Sequence, residues 1–537
     1  MKFKSLLSTI ILAGLLNNSL FALQKPYGVN FGGLYVLEDW FLSNTNTATY
    51  VSTPCGDEVA NTNEFIINDQ NPNIPFTSET DLIKKLKNSG KTDAEILQYF
   101  KAHRERYFAE SDSEINVLEN NFNHVKSLGI NMVRLPITWP ISYDSDYNIY
   151  DANNNPHLIP GGQVSTIVPD PFHYTDSEPY SWASIPASDI EHILEVANQY
   201  GIKVLLDIHA YPGGAGSGTF NGVWPLAPQF WTTSKVIYQR NFETIVGNLI
   251  NWTIDLKASN PAAYEALLGI TPMNEPAHLL GVPQATCNPN APWVTDITYN
   301  DVLETIALSV PLFKNTSLPN DGKKLYANII ETMMPSGPSA TPPFQLIGKW
   351  WLEDIPELTQ QDREEWAYLD IHHYFAWDPS CNQCLTKDVK NNIIQPSAFS
   401  DIQNCAQSFY GEIRNKLSFS PQDLLATSEF SASANANTVE SCASGVTPIQ
   451  LNNQQAFRNH VYNTQLEVGK SENINMFFWT WKLPYNHNFQ NEWSLHTIES
   501  QQPKTDNTGL SAEEITAISV AATVIVGVMG YALISMF

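Results

Sequence analysis

Basic residues are scarce in this sequence. Lys and Arg number 29 against 55 Asp and Glu, a formal charge of -26 over 537 residues. Nucleic acid and anionic lipid surfaces are bound by basic side chains that replace counterions, so this balance argues against both and leaves an uncharged or basic partner. Cysteine is sparse as well, with six residues (Cys55, Cys287, Cys381, Cys384, Cys405 and Cys442). The Cys381-Asn382-Gln383-Cys384 pair has no second pair at ribbon spacing, which argues against a zinc ribbon. The even count fits disulfides in an exported chain. No internal repeat or low-complexity tract is present, so a repeat array is not expected.

Charge is absent altogether from Ile515–Phe537, 23 residues long enough to cross the hydrocarbon core as a helix. No Lys or Arg follows it, and Asn507-Thr508-Gly509 lies upstream across a short polar spacer (501–514). A transmembrane helix and the removed signal of a lipid anchor both fit that layout. At the other end, Lys2 and Lys4 precede a mainly apolar stretch from Leu6 to Leu16 and small or polar residues to Ala22, the layout of a secretory signal peptide over 1–22. The sequons Asn251-Trp252-Thr253 and Asn315-Thr316-Ser317 fit glycosylation in that pathway. The expected location is the cell surface, with the body of the chain tethered to a membrane.

Between the ends, apolar runs alternate with segments of helical period. The predicted strands are YGVNFGG from Tyr27, NMVRLPI from Asn131, KVLLDIHA from Lys203, ALLGITPMNE from Ala266, KLYANII from Lys324, AYLDIHHY from Ala367, LLATSEF from Leu424 and NMFFWTW from Asn475. Ile115, Leu118, Phe122 and Val125 share one face of an intervening predicted helix. Eight strands with helices between them predict an α/β fold, a (β/α)8 TIM barrel, as one catalytic domain over 23–500. Residues 43–112 (one predicted helix) and 153–182 (a Pro, Asn and Asp-rich loop) read as insertions, since neither carries enough apolar residues for its own core.

Barrel enzymes place their chemistry where strands end. Here the third strand ends in His209, the fourth in Asn274-Glu275, the sixth in His372, His373 and Tyr374, the seventh in Glu429 and the eighth in Trp479 and Trp481, while Arg134 lies in the second. Glu275 and Glu429 would face each other across the barrel mouth, and two carboxylates are what glycoside hydrolysis requires.

This set of strand ends resembles glycoside hydrolase family 5. GVNFGGLYVLEDW (Gly28 to Trp40), DIHHYF (Asp370 to Phe375), FFWTWK and NEWSL resemble its exo-1,3-beta-glucanase branch. The resemblance implies Glu275 as acid/base and Glu429 as nucleophile. It implies Arg134 and Tyr374 as the groups holding Glu429 ionised, Asn274 as ligand of the sugar 2-hydroxyl, and His209 and His372 as positioning groups. It further implies Trp481, in preference to Trp479, as the floor under the cleaved sugar. Glu38 would bind a terminal glucose, with Trp40 two residues on, and Trp377 and Phe220 would grip the acceptor sugar. No metal or organic cofactor is implied.

HAYPGGAGSGTFNG (His209 to Gly222) is longer and richer in glycine than the branch's loop, and the Asn-rich segment after Trp40 has no counterpart. An open groove in place of a closed pocket would make the activity endo. The expectation is a retaining hydrolase of β-glucan, monomeric, exo-acting on β-1,3 linkages. A wall glucan transglycosylase and a catalytically inactive carbohydrate-binding surface protein are the alternatives.

Overall fold

The computed structural model describes residues 25–38, 41, 60–61, 75–111, 113–172, 180–216, 218–224, 226, 228–276, 297–330, 343–376, 389–390, 393–434, 454–483 and 490–501. The signal-peptide segment, Trp40, Trp377, every cysteine but Cys405, and the apolar tail lie outside the described residues. Cys405 is disulfide-bonded, in keeping with the expectation from the even count.

Each of the eight apolar runs is a strand: β1 (Gly28–Asn30), β2 (Met132–Thr138), β3 (Lys203–Ala210), β4 (Leu267–Thr271), β5 (Lys324–Ile330), β6 (Ala367–His372), β7 (Leu425–Phe430) and β8 (Ile474–Phe478). They pair in parallel and in chain order, and β1 bonds to both β2 and β8, so the barrel is closed. Helices fill the crossovers, among them Ala187–Gln199 before β3, Lys235–Ser259 before β4, Pro396–Lys416 before β7 and Gln454–Ser471 before β8. The fold is a (β/α)8 barrel. Among the described residues no helix is long and apolar enough to cross a membrane.

The bottom of the barrel is plugged by Leu205, Tyr326, Ala426 and Phe477, which form their own buried cluster. Gly28 makes room for this plug, because a Cβ there would lie 2.2 Å from the Phe477 ring.

Three local expectations are corrected. The helix before β2 runs Val117–Ser127 and buries Val117, Asn121, Phe122 and Val125. Ile115 precedes it and is exposed, because Asn116 takes a left-handed φ of 53° and turns the chain before the helix starts. Among the described residues, 43–112 hold two helices, Glu79–Asn88 and Asp93–Arg106. The second starts at a capping box: the Thr92 hydroxyl accepts from the Glu95 N–H, and the Glu95 carboxylate accepts from the Thr92 N–H. Residues 153–182 are not only loop, for Pro156–Ile159 pairs with Tyr147–Tyr150 and Ile167–Pro169 with Ser181–Ala183. Leu82, Ile83, Leu86, Ile96 and Phe100 of the first insertion join the main core, which is why a segment with few apolar residues is ordered there.

Candidate active site

Side chains two positions along a strand point the same way, so each barrel strand that contributes to the apolar plug presents its next inward residue one layer higher. That layer is polar and buried: Asn30, Arg134, Asp207, Asn328, Asp370 and Ser428. One step further, at the mouth, come His209 and His372, with Asn274, Glu275, Tyr374 and Glu429 at or just beyond strand ends. The barrel therefore carries a stack that changes from apolar to ionic toward the ends of its strands.

Arg134 organises one side of the site. Its Nη1 donates to Glu429 Oε1 at 2.5 Å and to Asn30 Oδ1 at 3.0 Å, and its Nη2 donates to Asn274 Oδ1 at 2.7 Å and lies 3.0 Å from Asp207 Oδ2. The Tyr374 hydroxyl donates to Glu429 Oε2 at 2.6 Å. Glu429 thus has a guanidinium on one oxygen and a phenol on the other, both charge-assisted hydrogen bonds. Burial, with the negative charge of Glu429 beside it, holds the Tyr374 phenol far above its usual range.

Glu275 follows β4 with its backbone in the left-handed region at φ 40°, which a non-glycine residue adopts only when its surroundings hold it there. The hold is visible: the Glu275 N–H donates to Asn328 Oδ1 at 2.7 Å, and the loop after β3 packs close, so that a Cβ on Gly216 would lie 3.5 Å from the Glu275 carbonyl oxygen. Its Oε1 lies 2.9 Å from His372 Nδ1, and the same nitrogen lies 3.5 Å from Glu429 Oε2. One oxygen of Glu275 and one of Glu429 lie within 4.8 Å of each other. Burial opposes charge on His372, but Glu429, Asp370 and Glu275 around it outweigh that and raise its pKa to about 10.

On the other wall, His209 Nδ1 donates to Asp207 Oδ2 at 2.6 Å, and Asn274 Nδ2 donates to His209 Nε2 at 3.4 Å. The Asn274 amide orientation follows, since its oxygen is already taken by Arg134. The His209 ring stacks on Trp479 (5.5 Å, 5° between planes) and meets Phe220 edge-on at 5.6 Å. Thr219, next to Phe220, donates to Glu38 Oε2 at 2.9 Å, and Glu38 bridges to Ser78 of the first insertion.

The structure therefore brings together Arg134, His209, Asn274, Glu275, His372, Tyr374 and Glu429, with Phe220 against His209 and Glu38 joined through Thr219. Trp481 is not with them. Its ring is fully buried, donates to Asn121 Oδ1 at 2.7 Å and packs on His124 and His496. The tryptophan at the mouth is Trp479, which corrects the choice between the two. His373 turns outward and stacks on Phe409 of the helix layer at 3.5 Å, leaving His372 inside.

Asn30, Asp207, Asn328, Asp370 and Ser428 were not singled out in the sequence, although DxH recurs at Asp207/His209 and Asp370/His372. That period-2 spacing of polar residues in otherwise apolar strands is the signal that marks them.

Two side-chain groups among the described residues have the composition of a metal site. In Glu275, His372 and Glu429 the surrounding carboxylates favour the protonated imidazole, and that proton competes with a metal for the ring nitrogen. In Glu110, His124 and His496 the cation is already present, since Lys482 Nζ lies 2.9 Å from Glu110 Oε1.

No family model matches the chain, and no curated protein matches it. Among solved structures it is similar to the rutinosidase from Aspergillus niger, at 14% identity over 89% of this chain and 96% of that one, with a TM-score of 0.49. It is similar to the endo-1,4-beta-mannanase from Rhizomucor miehei, at 12% identity over 74% and 91%, with a TM-score of 0.41. A third is a broad-specificity endoglucanase from Clostridium acetobutylicum, at 11% identity over 73% and 92%, with a TM-score of 0.38.

Proposed function

We propose that this chain is a retaining glycoside hydrolase of β-glucan, with Glu429 as nucleophile and Glu275 as acid/base. The observation that carries the reading is the spacing of the two carboxylates, within 4.8 Å oxygen to oxygen. Retention needs a separation of about 5–5.5 Å so that one carboxylate can reach the anomeric carbon, whereas inversion needs about 6.5–9.5 Å to seat a water between them.

The roles follow from the partners. Glu429, oriented by Arg134 and Tyr374, attacks the anomeric carbon. Glu275 delivers its proton to the glycosidic oxygen as that bond breaks, then takes a proton from the water that releases the glycosyl-enzyme. Asn274, oriented by Arg134, presents its amide to the sugar 2-hydroxyl. Trp479 offers a ring face for the apolar side of a sugar.

An exo mode is supported by the wall around Glu38, and the β-1,3 linkage by the resemblance of the strand-end motifs. The Glu38–Ser78 bridge and the hydrogen bond from Thr80 Oγ1 to Gly222 O tie the first insertion to the loops after β1 and β3, closing one side of the mouth. The secretory start and apolar end of the sequence support a site outside the cell, tethered to a membrane.

The test is product analysis of the purified protein on β-1,3-, β-1,6- and β-1,4-glucans, beside Glu429→Ala. Release of glucose with retained configuration from the β-1,3 substrate is expected, with longer products marking transfer to sugar. Undiminished activity in Glu429→Ala would sink the mechanism, and an inert wild type would favour the carbohydrate-binding alternative.

A further inference from the structure

Asp370 makes no hydrogen bond to either candidate catalytic carboxylate, yet the supports of both converge on it. It is fully buried on β6, two residues before His372. Its Oδ1 accepts the Ser428 N–H at 2.8 Å, and its Oδ2 accepts the Ser428 hydroxyl at 2.6 Å and the Asn328 amide at 3.1 Å. Ser428 immediately precedes Glu429, and Asn328 holds the N–H of Glu275.

Hydrogen-bond valence makes this more than scaffolding. An ionised carboxylate only accepts, so the single hydroxyl proton of Ser428 points at Asp370. The Ser428 oxygen can then only accept from its other neighbour, His372 Nε2, at 2.8 Å. Nε2 must carry a proton whether the ring is neutral or charged. Any proton the ring gains or loses is therefore on Nδ1, which faces Glu275 Oε1 at 2.9 Å.

We propose that Asp370 and Ser428 are positioning residues that set the tautomer of His372: they keep a proton on Nε2, so that Nδ1 and Glu275 share the proton delivered to the leaving group. The fate of that proton rests on the glycosidase reading; the tautomer rests on hydrogen-bond valence alone. The balance closes over one turnover. The proton passes from Nδ1 to Glu275 and on to the departing oxygen, and the water that cleaves the glycosyl-enzyme returns one to Glu275.

The groups facing His372 are Asp370 on its own strand, Tyr374 just beyond it, Glu275 after β4, and Ser428 and Glu429 on β7, with Arg134 of β2 behind Glu429. Burial works against ionisation of Asp370, but His372, Arg134 and the Ser428 hydroxyl more than offset it and keep its pKa below the usual carboxylate value. Asp370 therefore stays an acceptor, as the relay requires.

Asp370→Asn reverses the relay. The new amide keeps the Ser428 N–H on its oxygen and donates to the Ser428 hydroxyl, losing the bond that Oδ2 accepts from the Asn328 amide. That hydroxyl then donates to Nε2, and the one ring proton is forced onto Nδ1 of a neutral imidazole, too weak an acid to pass it to Glu275. Nitrogen-15 NMR of the full chain labelled at histidine, with the His372 signals identified by their loss in His372→Gln, reads this directly. In the wild type the proton lost as pH rises leaves Nδ1, whereas in Asp370→Asn it leaves Nε2.

In kinetics, Asp370→Asn is expected to lose about 100-fold in kcat on glucan with KM little changed. An aryl glycoside whose leaving group needs no proton should retain most of its rate. Ser428→Ala removes the relay without adding a donor and should lose about tenfold on glucan, and it serves if Asp370→Asn does not fold. A wild-type Nε2 that deprotonates first, a wild-type titration pattern in a folded variant, or equal losses on the two substrates would overturn the proposal. A wild type that keeps the Nε2 proton but is inert on every glycoside would instead end the glycosidase reading and leave the tautomer assignment standing.

Discussion

Arg134 and Glu429 meet inside the barrel from strands β2 and β7, with Nη1 2.5 Å from Oε1 and neither side chain more than 5% exposed. The same guanidinium lies 3.0 Å from Asp207, so two carboxylates depend on one cation. Removing it strips the guanidinium from both in a medium that solvates them poorly, and leaves Glu429 the His372 ring, at 3.5 Å, as its counterion. Arg134→Met is expected to cost about 3–5 kcal/mol of stability, measured by urea unfolding at neutral pH. Arg134→Lys should recover only part, because one ammonium cannot reach Asn30, Asn274, Asp207 and Glu429 together.

Trp479 and Trp481 should separate by phenotype. Trp481→Ala empties a fully buried site and strands the Asn121 amide oxygen, which should destabilise by about 3–5 kcal/mol and leave the activity of the folded fraction near wild type. Trp479→Ala removes the ring stacked on His209. It should lower kcat/KM roughly tenfold, the equivalent of about 1.4 kcal/mol, with a smaller change in melting temperature. The opposite pattern would return the floor role to Trp481.

Glu275→Gln keeps the shape of the side chain and cannot transfer a proton. The expected outcome is a loss of about 100- to 10,000-fold in kcat on glucan. An aryl glycoside with a good leaving group should still form the glycosyl-enzyme on Glu429, visible as a mass increment of one glycosyl unit under mild acid quench. No accumulation with any such substrate would count against Glu429 as the nucleophile.

Glu79 gives the fold a pH dependence of its own. Its side chain is buried between the first insertion and Ala183, whose N–H it accepts at 2.9 Å. Burial pushes its pKa from 4.5 to about 7, against the pull of the Ala183 N–H and the charge of Arg104. A carboxyl with a raised folded pKa stabilises the fold while protonated, so the contribution is full below pH 4.5 and is lost as pH rises through 7. The loss approaches about 1.4 kcal/mol per pH unit in that window. Thermal unfolding of Glu79→Gln against wild type should show a flatter profile between those limits and a relative gain above pH 7.

Much of this architecture is legible in one dimension because buried parallel strands are apolar on both faces and stand out as short runs between amphipathic segments. The residues at the ends of those runs, His209, Asn274, Glu275, His372, Tyr374 and Glu429, break the apolar pattern and could be marked before any fold was known. Arg134 stood out as a charge inside a strand. Asp207, Asn328, Asp370 and Ser428 carry only the weaker signal of period-2 spacing, whose meaning shows when the strands close and all of them point at one axis. Ile115 misled for a local reason, since helical spacing continued past the left-handed turn at Asn116 where the helix begins.

The sequence by itself determined the order of eight strands, the pair Glu275 and Glu429, and the set of polar side chains near them, because hydrophobic pattern and position along the chain carry that information. Only the tertiary structure decided that those carboxylates lie within 4.8 Å of each other, that one guanidinium serves Glu429 and Asp207, that His372 stands between the two glutamates, and that Trp479, not Trp481, reaches the mouth. Distances across a barrel depend on how strands far apart in sequence come into register, and no local pattern encodes which side chain will be pressed against which.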